Sequence, residues 1–332
     1  MFDSFVSYTA VIMLTRVPKV ALVRSEGHYQ GVKGALALIE DDVVAQLRGK
    51  KRILVKPNFV STSNLLGVTH VDAVKAVLEF VGQHCSGKII IGESPPFRKL
   101  SKALSRFGYY SLQDDYDVEF VDLSSDGYFE IQGYDRSLKP MKLRASKVAL
   151  DCDYRISVTR PKTHDVVIVT LSIKNMAVGC LFGDNKPKIH QGMQSINLNI
   201  AEVFKALPAN LGVIDGFVGM EGNGPSSGTA VDLRAASASL HPVSLDAVFC
   251  KIMGFDPLDV GYLHYLDEQG IGVADLDRVK VVGAPIEDLS MRFKPHRSFK
   301  KQRTWREGNK HGYVPSLAQS LLRPIMWIAR RV

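Results

Sequence analysis

RILVKPN, residues 52–58, decides the fold. Arg52, Ile53, Leu54 and Val55 read as a strand. Pro57 has no N–H to give to a central ladder, so the strand stops and a loop begins. Lys56 and Asn58 then stand at a strand's C-terminal end, which is where open α/β sheets bind ligands.

Upstream, residues 20–24 (VALVR) read as a first short strand. Residues 31–47 follow with Val32, Ala35, Leu36, Ile39, Val43, Val44 and Leu47 at helical spacing. Downstream, Thr69 is the expected N-cap of a helix whose one face is Val71, Val74, Val77, Leu78 and Val81. Residues 88–91 are the next strand and end in Gly92-Glu93-Ser94-Pro95-Pro96. Helix is expected over 100–110, strand over 118–123 and a hairpin over 126–147, where Gly127, Gly133 and Pro140 punctuate the chain. Strand and helix alternate with short connections, the pattern of an α/β fold with a mostly parallel sheet and helices on both faces. Two lobes with a cleft between them are compatible with the length of 332 residues.

A third strand, 154–159, exits into Arg160-Pro161-Lys162-Thr163-His164. Between Arg160 and His190 the chain gathers Lys162, His164, Lys174, Asn175, Lys186, Lys188 and His190 around the apolar run Val166, Val167, Ile168 and Val169. Lys162 and His164 are two positions apart, so on extended backbone they share a face. A Lys and a His in one cavity can divide acid and base roles, because their ordinary pKa values differ and burial lowers both. Lys162, His164, Lys174 and His190 are therefore the catalytic candidates. The plain alternative is a set of solvated surface lysines and a turn-capping histidine.

Helix is expected over 170–181 and 196–207, and strand over 211–214, which leaves at Asp215-Gly216. The loop Met220-Glu221-Gly222-Asn223-Gly224-Pro225 through Thr229 is the most glycine-rich of the chain. Its backbone N–H groups can cradle an anion. No Gly-Lys-Ser/Thr follows, and the spacing GxGxxxG is not a dinucleotide fingerprint. Lys56, Asn58, Asn175, Glu221, Gly222 and Gly224 are the expected substrate- or anion-binding residues. Asp215 reads as a turn residue; Glu221, beside the glycines, reads as functional. Helices over 245–253 and 260–269 and a strand over 279–282 complete the body.

Composition is that of a globular chain, 45% hydrophobic and 23% charged. No window has the ~18 uninterrupted apolar residues of a membrane span. The net charge of +8 belongs to the C-terminal end: residues 291–332 hold eleven Lys or Arg and one acid, Glu307. The remainder is near neutral, so no nucleic-acid partner is expected. Residues 316–332 combine Leu317, Leu321, Leu322, Ile325, Met326, Trp327 and Ile328 with Arg323, Arg330 and Arg331, a pattern suited to an anionic membrane surface or a protein partner. The expected division is an N-terminal extension over 1–18 with Met13 as an alternative start, a body over 19–290, and a basic tail over 291–332. Cys85, Cys152, Cys180 and Cys250 form no CxxC pair and no ferredoxin-type run. A reducing cytoplasm follows as the expected compartment, with peripheral membrane attachment through the tail as the variant.

The ordered motifs Lys56-Pro57-Asn58, Thr69-His70, Gly92-Glu93-Ser94, Pro161-Lys162-Thr163-His164, Thr170, Lys174-Asn175, His190, Asp215-Gly216, Met220-Glu221-Gly222-Asn223-Gly224-Pro225 and Leu245-Asp246-Ala247 resemble those of domain of unknown function family 362. The resemblance covers roughly residues 20–285. It implies a family more than a reaction, and it implies distant similarity to nickel-pincer lactate racemase, with Lys and His in a cleft. Some members carry iron–sulfur motifs; this chain has no such cysteine segment. No cofactor is assigned, and a metal ion is compatible. Three functions are therefore expected in competition. One is an enzyme acting on a small anionic carboxylate or phosphate. The others are a metal- or redox-related accessory protein and a binding module that works through its basic tail.

Overall fold

A computed structural model describes residues 17–94, 100–125 and 127–309. The N-terminal extension up to residue 16, Met13, Pro95, Pro96 and the apolar–basic segment 316–332 lie outside the described residues.

Among the described residues, ten strands form one sheet. Eight run in the order β12-β1-β11-β10-β7-β2-β3-β4: β1 Lys19–Arg24, β2 Arg52–Lys56, β3 Lys88–Glu93, β4 Val118–Asp122, β7 Tyr154–Thr159, β10 Leu211–Glu221, β11 Thr229–Ser239 and β12 Lys280–Gly283. The short strands β8 Lys162–Thr163 and β9 Val169–Thr170 attach beside β10. A separate hairpin pairs β5 Tyr128–Tyr134 with β6 Pro140–Ser146. The ladders β10–β7–β2–β3–β4 and β1–β12 are parallel; β11 is antiparallel to both its neighbours. Helices cover both faces. Leu22, Leu54, Ile90 and Ile214 point into one core, and Ala21, Ile53, Val55, Ile91 and Val213 into the other. The fold is α/β with a mostly parallel sheet, and its strands are apolar runs because both of their faces are buried.

Several elements differ from expectation. Residues 31–47 form two helices, His28–Ala37 and Glu40–Leu47, because the chain turns at Leu38 and Ile39. The acids Glu40, Asp41 and Asp42 in the first turn favour that new start. Helix Val71–His84 is capped by the His70 ring, not by Thr69. The Thr69 hydroxyl instead accepts from Asn58 N at 2.9 Å and donates to Val158 O at 2.8 Å. The 170–181 helix begins only at Ser172, since Thr170 pairs in β9.

The strand expected to stop at Ile214 continues to Glu221, so Asp215 lies inside a ladder. Its partner β11 had no counterpart in the sequence reading. Ala235, Ala236, Ser237, Ala238 and Ser239 have low strand preference, and tertiary fit selects them. Helix His28–Ala37 crosses so closely that a Cβ on Gly31 would lie 2.9 Å from the Ala236 Cβ.

Residues 291–309, read as the start of the tail, lie against the body. Phe293 and Trp305 are buried, and Trp305 Nε1 donates to Asp259 O at 2.8 Å.

Candidate functional site

The exits of β2, β3 and β7 place their polar residues together. Lys56, the last residue of β2, is fully buried. Its ammonium reaches Glu93 Oε2 at 2.5 Å, Pro57 O at 2.6 Å and Asn175 Oδ1 at 3.2 Å. Asn175 returns its amide to Lys56 O and Ser157 Oγ, both at 3.0 Å. Its Oδ1 also accepts from Asn58 Nδ2 at 3.1 Å. Lys162 donates to Asn58 Oδ1 and, at 3.1 Å, to Gly67 O. Burial holds the Lys162 ammonium well below its ordinary pKa, and the charges of Arg160 and Lys174 push the same way.

The structure thus joins Lys56, Asn58, Lys162 and Asn175 from three separate segments. In this conformation Lys56 gives all three protons to protein acceptors, so it holds the floor of the site rather than offering a free cation. Gly179 has no side chain because Lys56 lies there: a Cβ would sit 2.3 Å from Lys56 Cε.

Lys174 stands on the first turn of helix Ser172–Gly179. The residue is half-buried, and its ammonium makes no hydrogen bond or ion pair among the described residues. Burial brings its pKa down to about 8; Asp165 opposes the shift, while Lys186 and Lys56 add to it. Burial also holds His164 neutral, well below its ordinary pKa, and Lys174 adds to this. His164 Nδ1 accepts from Val166 N at 3.0 Å, which assigns the ring proton to Nε2. His190 is lowered to about 4 by burial and then by Lys174. The mutual effects gather Lys174, His164, His190 and Asp165 into one group.

Lys186 borders this group and the floor. Burial lowers it to about 8, Glu93 opposes this, and its Nζ lies 3.8 Å from Glu93 Oε1. A neutral lysine is an acceptor or nucleophile, and a neutral histidine with Nε2–H is a donor.

The loop that carries His164 is braced and strained. Gln302 donates to His164 O at 2.8 Å and accepts from Ile168 N. Ile168, a β-branched residue, has φ 68°, a costly conformation held by Val169 N donating to Val167 O at 2.8 Å and His164 N donating to Ile168 O at 2.7 Å. Asp246 anchors the helix bearing Lys174: Oδ1 accepts from Ser172 N at 2.9 Å and Oδ2 from Ile173 N at 3.0 Å. Burial raises Asp246 to about 7 against those donors.

Glu221, Gly222 and Gly224 are used otherwise than expected. The Glu221 carboxylate accepts from Lys294 N at 2.8 Å, and Gly222 N donates to Lys294 O at 2.8 Å. The Thr163 hydroxyl donates to Gly222 O at 3.0 Å, and a Cβ on Gly224 would lie 2.1 Å from Thr163 O. The glycine loop therefore packs on the chain behind Lys162 and ties down residues 291–309. No bond among the described residues links Glu221 to Lys174, His164 or Lys162.

Sequence reading did not single out Asp165, Gln302 or the anchoring role of Asp246. Only the Leu245-Asp246-Ala247 motif pointed to the last of these. Asp215, read as a turn residue, accepts a 2.7 Å bond from His28. The four cysteines are free thiols. Burial pushes the Cys152 and Cys180 thiols up to about 11, and no group of three His, Cys, Asp or Glu suited to a metal occurs among the described residues.

The fold is similar to the lactate racemase apoprotein from Thermoanaerobacterium thermosaccharolyticum, with a TM-score of 0.46 and 15% identity over 68% of this chain. The chain spans 55% of that protein's length. It is 28% identical over 256 residues to the thylakoid-associated protein sll1697 of Synechocystis sp., covering 74% of this chain and 77% of the relative. No helix among the described residues is long and apolar enough to cross a membrane. The family model for DUF362 matches residues 53–251 and spans the floor, Lys174, His164, His190 and Asp246, and the chain belongs to this domain of unknown function family.

Proposed function

We propose that the chain is an enzyme that performs acid–base chemistry on a small anionic metabolite, a carboxylate or a phosphate, at Lys174, His164 and His190. The observation that carries this reading is the Lys174 amine. It has no protein partner among the described residues and is lowered to about 8, so it is divided between its charged and neutral forms near physiological pH. The charged form attracts the anion, and the neutral form takes a proton. His164 supplies a neutral N–H, and the Lys56–Glu93–Asn175 floor holds the helix that presents Lys174. Desolvation with nearby like charge is how active sites prepare such lysines.

Native mass spectrometry of gently purified protein, incubated with a pool of small carboxylates and phosphates, tests the reading. The unaltered chain is expected to retain one more anion than Lys174→Met, and Lys174→Arg to hold that anion more weakly. Equal retention by Lys174→Met, or none by the unaltered chain, would reject it.

A second reading, attachment to an anionic membrane surface, is favoured by one observation. The relative from Synechocystis is named thylakoid-associated, and residues 310–332 hold Lys310, Arg323, Arg330 and Arg331 with no acid. Co-sedimentation with phosphatidylglycerol vesicles should be lost on deleting 310–332. Binding that survives this deletion removes the tail from consideration.

A further inference from the structure

Arg160 is 2% exposed, yet its guanidinium is little used. One long hydrogen bond of 3.4 Å reaches Leu65 O, and Nε has no partner among the described residues. Asp215, the acid that acts on it most, is engaged elsewhere: Oδ2 accepts from His28 Nδ1 at 2.7 Å and Oδ1 from Phe217 N at 3.3 Å. A buried guanidinium with idle donors and no ion pair among the described residues calls for an anion, because little has replaced its lost water.

The surroundings supply more donors. The ladder ends with Ile214 beside Thr159, so Asp215 and Arg160 are the next neighbours. By the alternation of a strand they share the face of Val213 and Val158, opposite the face of Leu54 and Ile214. Two helices begin on that face. His28 is the first residue of His28–Ala37, whose N-cap Gly27 offers no side chain, and His70 caps Val71–His84. Their rings stack at 3.9 Å with an 8° interplanar angle.

With Nδ1 of His28 bound to Asp215, its Nε2 is open. With Nδ1 of His70 accepting from Asp72 N at 3.3 Å, its Nε2 carries the proton. The side chains are 14% and 23% exposed, whereas Arg160 and Asp215 are buried. Burial, then His28, lowers His70, and Arg160 acts on it too, which sets all three within one electrostatic field. Tyr109, buried with its hydroxyl donating to Thr69 O at 2.9 Å, feels the charges of Arg160 and Asp215.

We propose that Arg160, His28 and His70 form a second ligand site, distinct from Lys174, that takes a phosphoryl group. Arg160 Nε, His70 Nε2–H and the positive ends of two helices come from separate segments of the chain, a donor set that suits an anion with several acceptor oxygens. Asp215 holds His28 in place, its Oδ2 accepting from the ring and its Oδ1 from Phe217 N.

The test uses the full-length chain carrying Lys174→Met, which silences the other site, titrated with inorganic phosphate by calorimetry. One phosphate per chain is expected. Adding His70→Asn, which keeps a capping oxygen for Asp72 N, should weaken binding at least tenfold with an unchanged melting temperature. His28→Asn and Arg160→Lys should each do the same. If Arg160→Lys fails to fold, the two histidine variants decide. Acetate should bind at least tenfold more weakly than phosphate. Absence of phosphate binding, binding unmoved in both folded histidine variants, or equal binding of acetate would overturn the assignment. Because Lys174 is already removed, failure here leaves the reading of Lys174 standing.

Discussion

At the scale of single residues, Lys174 and Lys56 show how position decides the use of one side-chain type. Both are lysines at the same end of the sheet. Lys56 is closed in by Glu93, Pro57 and Asn175, whereas Lys174 is held among bases with only Asp165 to oppose them. Reductive methylation followed residue by residue with peptide mass spectrometry should give Lys174 a midpoint near about 8, as burial dictates. An exposed lysine has its midpoint at about 10.4. A midpoint above 10 for Lys174 would contradict the geometry.

Glu93→Gln removes the charge that balances Lys56 and leaves a buried ammonium unpaired. Denaturant unfolding should show a loss of about 3–5 kcal/mol. Lys56, Asn58, Lys162 and Asn175 could be grouped from the sequence because each follows a strand exit or opens a helix. That Glu93 saturates Lys56 was not legible, because the pair forms between neighbouring strands 37 residues apart.

At the scale of elements, the helix Ser172–Gly179 is the part most sensitive to change. Its start is held by Asp246 from another helix, and its end lies against Lys56. Asp246→Asn keeps the shape but turns one acceptor oxygen into a donor facing a backbone N–H. A loss of about 1–3 kcal/mol is expected in thermal or denaturant unfolding. The pH dependence has a definite sign. Asp246 is raised to about 7 when folded against an ordinary 3.8, so the folded state binds more protons between those values. Its contribution is present below about 3.8 and is lost as pH rises through about 7. The difference in stability between the unaltered chain and Asp246→Asn should shrink over that window.

Gly179→Ala places a methyl group where Lys56 lies, an overpacking expected to cost about 1–3 kcal/mol. It should also displace Lys56 from Glu93, seen as a shifted Asn175 side-chain amide in NMR. The helix itself was foreseen, two residues longer at each end. Its anchors were not, because the Asp246 contact spans 74 residues.

At the scale of the molecule, the C-terminal region divides differently from its composition. The charge run begins near residue 291, but Phe293, Gln302 and Trp305 are buried in the body, and Gln302 holds the loop of His164 and Ile168. Removing 291–332 should therefore lower the melting temperature by several degrees and disturb the His164 loop. Removal of 310–332 alone should leave the melting temperature close to that of the full chain. Equal melting of the two truncated chains would show that the packed segment contributes nothing to stability.

The sequence by itself determined the α/β class, the strand exits and the grouping of bases around the 160–190 stretch. These follow from local rules: apolar runs that need two covers, proline that ends a ladder and helical spacing of aliphatics. Only the tertiary structure decided which of those bases are balanced and which are left open. It set Glu93 on Lys56, turned Glu221 to Lys294, brought His28 to Asp215 and left Arg160 and Lys174 without ion pairs among the described residues. The reason is physical: a charge's state depends on burial and on partners distant in sequence, and neither is written in the residues next to it.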